Sequence, residues 1–324
     1  MPHLAAIPNH LPSSIAKPIL TFIVPAPNGC NLNCPYCFIT KRKEAATKLD
    51  LSPTDYVAFI EQIAAREEIG AICIQGYEPL LPESFAYTRA ILDIGRRLDI
   101  PTSLVTNGTN LGRWIDDLAD LRPSKITVSI DAAEAAIHDR SRGKVGAHEA
   151  AMNGLRLAAA NPVLQPVLTL ASILMPRKRE RLLGMPSLAR DLGVDHWLVT
   201  ALQEVDDHEL LGPVGDRRQM FNDLVILRRE AERFDIDFVV DDEFGRLADD
   251  DLERDVIDLE KLRFRRLANP AGTFRLLPTG QCSMGLDIML SVKANTPCWR
   301  PGDMDAYDFI EALRNDRPAL SVVG

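Results

Sequence analysis

From Leu20 to about Phe234, short apolar runs alternate with longer stretches in which apolar residues return every three or four positions. The short runs are Leu20–Val24, Ala71–Gln75, Thr102–Thr106, Lys125–Ile130, Val167–Leu174 and His196–Leu202. Each is rich in Ile, Val, Leu or Thr and nearly continuous, the pattern of strands buried in a parallel sheet. Between them, Ser52-Pro53-Thr54-Asp55 offers a helix N-cap with Pro at the first helical position. Tyr56, Phe59, Ile60 and Ile63 then recur at helical spacing. By the same logic Ser84–Leu98, Leu111–Leu121, His148–Ala160, Glu180–Leu192 and Gln219–Phe234 read as helices.

Six strand–helix repeats predict right-handed parallel crossovers and an α/β fold. Six units are too few for a closed eight-fold barrel. The expectation is a partial (β/α)6 TIM-like barrel with an open side, its chemistry gathered at the carboxyl ends of the strands. Past residue 235 the pattern changes. Ten residues between Asp241 and Glu260 are Asp or Glu, against Arg246 and Arg254 as the cations of that stretch. It reads as a solvated acidic face. A short helix is predicted near Asp251–Leu267, hairpin material over Thr273–Gly302 with turns at Pro278, Gly280, Gly285 and Asn295, and a closing helix over Asp305–Arg314. The division expected is residues 1–240 as the barrel and 241–324 as a small C-terminal α+β extension.

Composition narrows the function classes. The net charge of −9 over 324 residues argues against a phosphate-backbone partner, so nucleic acid is not expected. No apolar run is long enough to cross a bilayer. The first residues lack a basic leader and a sustained apolar core, so a cytoplasmic protein without a membrane partner is expected.

Six cysteines lie at positions 30, 34, 37, 73, 282 and 298. A cytosolic chain does not normally hold disulfides, so three thiols within eight residues point to a metal centre. Cys30, Cys34 and Cys37 follow directly on the first strand, in a stretch kept irregular by Pro27 and Gly29. A structural zinc site or a ferredoxin-type centre wants four ligands, and the nearest further cysteine, Cys73, lies on a separate strand. Three thiolates on a [4Fe–4S] cubane leave one iron with an open position, where a small molecule can bind and react.

The Cys-x3-Cys-x2-Cys spacing of Cys30, Cys34 and Cys37, with Tyr36 before the last, resembles the signature of the radical S-adenosylmethionine (SAM) superfamily. That resemblance covers about the first 235 residues and implies a partial (β/α)6 barrel. It also implies a cluster whose open iron binds SAM, and a 5′-deoxyadenosyl radical that abstracts hydrogen from unactivated carbon. Further motifs follow in order. Gln75-Gly76-Tyr77-Glu78-Pro79 is similar to the family's Gly-Gly-Glu-Pro motif, with Tyr77 in place of the second Gly. Thr106-Asn107-Gly108 and Ser129-Ile130-Asp131 resemble strand ends of the family, and His138-Asp139-Arg140-Ser141-Arg142-Gly143 resembles a run seen in its SPASM/Twitch branch. The resemblance implies SAM contacts from Tyr36, Gly76, Tyr77, Glu78, Asn107, Ser129, Asp131 and Arg142. Glu78 suits the SAM ammonium and Arg142 its carboxylate. His138 reads as a helix-surface or packing residue.

Cys282 and Cys298 flank the predicted hairpin and resemble the opening of a Twitch-type domain, but two thiols are too few for a second, auxiliary cluster. Cys282, Cys298 or Cys73 could instead donate a hydrogen atom to a substrate radical. Cys73 in an apolar strand also reads as a small core residue. About twenty residues precede the first strand, which is short for a fused peptide-recognition domain. The expected substrate is therefore a small polar natural-product intermediate, such as a sugar or aminocyclitol, undergoing oxidation, epimerisation or rearrangement. A peptide is the alternative. A flavodoxin- or ferredoxin-type electron donor is the expected partner. Outside the enzyme class, the same cysteines would suit a noncatalytic iron–sulfur electron carrier or scaffold.

Overall fold

The computed structural model describes residues 17–37, 51–201, 214–241, 264–265, 272–284 and 296–315. In chain order they form β1 (Ile19–Val24), α1 (Pro53–Ala64), β2 (Ala71–Gly76), α2 (Phe85–Arg97), β3 (Thr102–Thr106), α3 (Ile115–Leu121), β4 (Lys125–Ser129), α4 (Ala135–Arg142) and α5 (Ala147–Ala159). There follow β5 (Leu168–Leu174), α6 (Met185–Asp191), β6 (His196–Ala201), α7 (Val214–Arg233), β7 (Asp237–Asp241), β8 (Phe264–Arg265), β9 (Thr273–Leu276), β10 (Cys282–Met284) and α8 (Ala306–Asn315). The six expected strands are β1 to β6. Helix α4 has no apolar stripe, and the sequence pattern had not suggested it. Most of the acidic stretch and the turns at Gly285 and Asn295 lie outside the described residues, and so does the helix expected near 251–267 except for Phe264–Arg265, which form the strand β8 instead.

Contacts divide the chain into two compact units, one of Met1–Gly29, Arg42–Leu104 and Ala268–Gly324, the other of Cys30–Lys41 and Val105–Leu267. This grouping differs from a division at residue 240, which stays a proposal about how the chain is assembled.

In the first unit, β1 pairs in parallel with both β2 and β9, β2 pairs in parallel with β3, and β10 closes an antiparallel hairpin on β9. Helix α1 starts as its sequence suggests: Ser52 caps the Asp55 amide, and the Asp55 carboxylate accepts from the Ser52 amide at 2.7 Å. Its buried face is Tyr56, Phe59, Ile60 and Ile63. Phe22 of β1 meets the Tyr56 and Phe59 rings edge-on at 5.5 and 6.1 Å, and Trp299 packs on Phe59 at 4.9 Å. Phe22 therefore marks the helix-covered face of this sheet. Helix α8 is fastened to α1 by the Gln62 side chain, which accepts from the Ala306 amide at 2.7 Å.

Strand register then assigns the faces. Leu20, Phe22, Ile72, Ile74, Phe274, Leu276 and Cys282 share the helix-covered face. On the opposite face one row runs across five strands: Ser283 beside Arg275, Arg275 beside Thr21, Thr21 beside Cys73, and Cys73 beside Ser103.

The second unit holds β4 to β8, paired in that order and all parallel. Its core centres on Trp197, whose indole donates to Ser172 Oγ at 2.9 Å while that hydroxyl donates to the Ile130 carbonyl at 2.5 Å. Helix α4 ends on Gly143 in the left-handed region at φ 65°, where glycine is favoured. Among the described residues, no helix is long and apolar enough to cross a membrane.

Candidate active site

Cys30, Cys34 and Cys37 are unbridged thiols on a short irregular segment of the second unit, each half-buried. The Cys37 amide donates to the Cys34 carbonyl at 3.1 Å, folding the last two cysteines into one turn. Two sets of side chains brace this segment. The first comes from the loop after β3. Asn107 Nδ2 donates to Asn31 Oδ1 at 2.9 Å and lies 3.8 Å from Cys30 Sγ. Asn107 Oδ1 accepts from the Thr109 amide and hydroxyl at 3.0 and 2.7 Å, and Asn31 Nδ2 donates to Thr109 Oγ1 at 2.8 Å.

The second brace comes from β4 and α4. The Tyr36 hydroxyl donates to Asp131 Oδ2 at 2.5 Å, and Ser141 Oγ donates to the same oxygen at 2.7 Å. Arg142 donates to Asp131 Oδ1 at 2.8 Å, with the Ile173 amide on that oxygen at 3.4 Å. The Arg142 guanidinium also lies 5.9 Å from the Tyr36 ring centre. Its backbone carbonyl accepts from the Asn33 amide at 3.1 Å, and Lys144 Nζ donates to the Asn31 carbonyl at 3.0 Å. At Gly143 the approach is so close that an added Cβ would sit 2.0 Å from the Asn33 carbonyl oxygen.

The electrostatics follow from this packing. Burial alone would raise the Asp131 carboxyl, but Arg142 and the hydroxyls of Tyr36 and Ser141 hold it below the ordinary carboxylate value. Burial also pushes up the Tyr36 phenol and the Cys34 thiol, with Arg142 opposing the rise in both. His138 is fully buried, and its Nδ1 accepts the Asp131 amide at 3.2 Å. Desolvation lowers it to about 4, so it stays neutral at ordinary pH. It is a packing residue of α4, one of the two roles its place in the sequence suggested.

The residues expected at SAM are placed as follows. Asn107 rests against Cys30 and Asn31. Asp131 and Arg142 are engaged with each other and with the Cys34–Tyr36 turn. Ser129 ends β4, half-buried. In the first unit, Gly76 ends β2 at φ 126°, where an added Cβ would meet the Ile23 side chain at 2.8 Å. Tyr77 follows half-exposed, and Glu78 is buried with one carboxylate oxygen accepting the Leu80 amide at 3.0 Å. Sequence reasoning had passed over Asn31, Thr109, Ser141 and Lys144. Asn31 lies inside the cysteine motif and Ser141 directly precedes Arg142, so adjacency was the available signal.

The three remaining cysteines separate by face. Cys282 is fully buried on the helix-covered side, where desolvation pushes its thiol up to about 12. Cys298 is exposed, with its sulfur 3.3 Å from the Thr279 carbonyl. Cys73 is half-exposed in the middle of the polar row.

Among the described residues, no three His, Cys, Asp or Glu side chains close in on a single ion. A cubane sets its thiolates on three different irons and so asks for a wider spread than one zinc ion does. Three unbridged thiols on a braced turn, with the Asn107 amide aimed at the Cys30 sulfur, fit such a cluster.

The radical SAM superfamily profile matches residues 24–180, which take in the cysteine turn, both braces and Glu78. This is a radical SAM domain. Its superfamily uses a [4Fe–4S] cluster and SAM. The AdoMet-dependent heme synthase of Methanosarcina barkeri is 33% identical over 133 residues, 40% of this chain and 36% of that protein. The chain thus spans about a third of the curated relatives it matches. In fold, 93% of the chain follows Streptococcus suis SuiB bound to precursor peptide SuiA, covering 66% of that chain at TM-score 0.64 and 14% identity. It follows native anSMEcpe with bound AdoMet and Cp18Cys peptide over 93% of its length and 81% of that chain, at TM-score 0.64 and 16% identity. These likenesses establish the α/β partial barrel around the radical SAM domain.

Proposed function

We propose that this chain is a radical SAM enzyme that takes a hydrogen atom from a small polar substrate, a sugar or aminocyclitol intermediate, leading to oxidation, epimerisation or rearrangement. One observation carries the substrate class: the row Ser283, Arg275, Thr21, Cys73 and Ser103 on the sheet face turned away from the helices. A packed barrel fills that face with bulky branched apolar side chains. Here it carries hydroxyls, a guanidinium and a thiol, which favour a ligand rich in hydroxyl or anionic groups.

In this reading Cys30, Cys34 and Cys37 hold the cluster, and Glu78 accepts hydrogen bonds from the SAM ammonium. When bound, the two cofactors supply a one-electron cleavage that yields methionine and a 5′-deoxyadenosyl radical. Gly76 keeps the backbone open beside Glu78, and Tyr77, Asn107 and Ser129 line the strand ends. Cys73 is the candidate hydrogen-atom donor for an epimerisation. Its S–H bond breaks as the substrate C–H bond forms, and the resulting thiyl radical takes one electron from a flavodoxin- or ferredoxin-type donor and one proton from water. The burial of Cys282 on the opposite face disfavours that role for it.

A peptide substrate is the second reading, supported by the peptides held in the SuiB and anSMEcpe structures. Anaerobic reconstitution followed by dithionite and SAM, with 5′-deoxyadenosine read by mass spectrometry, tests the enzyme assignment. Deuterium carried into 5′-deoxyadenosine from labelled sugars or labelled peptides then separates the two substrate classes. A cluster that forms but never cleaves SAM, with either class supplied, would leave the electron-carrier reading standing instead.

A further inference from the structure

We infer that Asn107 is a positioning residue for Cys30: a closed ring of hydrogen bonds with Asn31 and Thr109 turns its amide nitrogen toward the Cys30 sulfur and holds that thiolate in place for the cluster. The inference rests on the functional reading above and goes beyond it.

The ring closes through three side chains. Asn31 Nδ2 donates to Thr109 Oγ1 at 2.8 Å, Thr109 Oγ1 donates to Asn107 Oδ1 at 2.7 Å, and Asn107 Nδ2 donates to Asn31 Oδ1 at 2.9 Å. The Thr109 amide adds a second donor to Asn107 Oδ1 at 3.0 Å. The amide oxygen is thus committed to its own loop, and the nitrogen faces the cysteine segment. That nitrogen carries two N–H groups. Asn31 takes one, and Cys30 Sγ, 3.8 Å away, is within reach of the other.

The loop that carries Asn107 is itself fixed. The Gly108 amide donates to Thr106 Oγ1 at 3.0 Å, and Gly108 sits at φ 80°, where an added Cβ would stand 2.7 Å from the Val128 side chain. Asn107 is buried. A turn of this kind needs only the bonds from Asn107 to its own loop. The two bonds that cross to Asn31, over 76 and 78 positions, add nothing to that turn and serve the cysteine segment.

Ligation changes what Cys30 can accept. As a thiol it can donate to Asn31 Oδ1, 3.9 Å away. A cluster takes the thiolate, so that proton leaves and the Asn31 contact with it. The Asn107 N–H stays, facing a sulfur that has become the better acceptor. The ring therefore presents a donor matched to the ligating form of Cys30, the way outer-shell partners orient a metal ligand.

The test follows iron release from the reconstituted holoprotein, without SAM, under excess ferrous chelator, with SAM affinity and the melting of each apo form measured alongside. Thr109→Val opens the ring at nearly constant shape, Thr109→Ser keeps it closed, and Asn107→Asp puts a carboxylate oxygen where the N–H stood. Release is expected to be about fivefold faster than wild type in Thr109→Val and about tenfold faster in Asn107→Asp. Thr109→Ser should release iron like wild type. Wild-type release from both Thr109→Val and Asn107→Asp overturns the inference, and if SAM affinity falls in them, Asn107 is a SAM contact only. A Thr109→Val apo protein that no longer folds also overturns it, because the ring would then hold the fold rather than the ligand. Wild-type protein that takes up no [4Fe–4S] cluster overturns the functional reading instead.

Discussion

The Tyr36 hydroxyl donates to Asp131 across 2.5 Å, joining side chains 95 positions apart. Through this bond the aromatic position of the cysteine motif reports directly on the end of β4. Tyr36→Phe leaves Ser141 and Arg142 on Asp131 but removes one donor from a buried carboxylate, a loss of about 1–2 kcal/mol. The apo protein should melt a few degrees lower at pH 7 by circular dichroism. The difference should shrink as pH falls through the depressed Asp131 value, because protonated Asp131 no longer needs the donor. A Tyr36→Phe variant that melts like wild type at pH 7 would deny the bond any energetic weight.

His138 carries a second pH dependence. Its folded value of about 4 lies below the ordinary 6.5, so the unfolded chain binds the extra proton first. Stability from this group is fully present above 6.5 and declines as pH falls toward 4, by up to about 3 kcal/mol. His138→Asn keeps an acceptor for the Asp131 amide and removes the titration. The melting temperature of this variant should change less between pH 7 and pH 4 than that of wild type. Parallel pH profiles for the two proteins would exclude His138 as a source of acid sensitivity.

Gly143 is required twice, by its left-handed backbone and by the Asn33 carbonyl against its Cα. Gly143→Ala must push the cysteine segment away from α4. We expect about 2 kcal/mol or more of destabilisation, together with iron incorporation well below wild type after reconstitution. Gly146, also at positive φ but with open space around it, is the control. Gly146→Ala should lose stability without losing iron.

The cysteines outside the motif should divide by face. Cys282→Ser places a hydroxyl in the apolar layer and should cost about 1–3 kcal/mol, with SAM cleavage retained in the protein that stays folded. Cys73→Ser should melt close to wild type and still yield 5′-deoxyadenosine. If the thiol donates the hydrogen atom, this variant accumulates 5′-deoxyadenosine without matching product, measured by mass spectrometry. Equal product from Cys73→Ser and wild type would remove Cys73 from the mechanism.

The sequence by itself determined the strand and helix order from Leu20 to Phe234, the start of α1 and the cysteine turn. These depend on local rules: apolar period, a capping box around Ser52 and Asp55, and three thiols within eight residues. Motif order along the chain also gave the superfamily and, with it, the cofactors. Only the tertiary structure decided what the remaining polar residues face. The motifs point Asp131 and Arg142 at SAM, and the structure pairs them with each other, because sequence spacing does not say which donors reach a carboxylate. Helix α4 is not written in the apolar period, because its buried face is His138, Ser141 and Arg142. Likewise, β9 joined β1 as a parallel neighbour across some 250 positions, and only that pairing puts Arg275 in line with Cys73. Long-range register is set by packing of whole layers, and that information is spread over the chain rather than written at any one position.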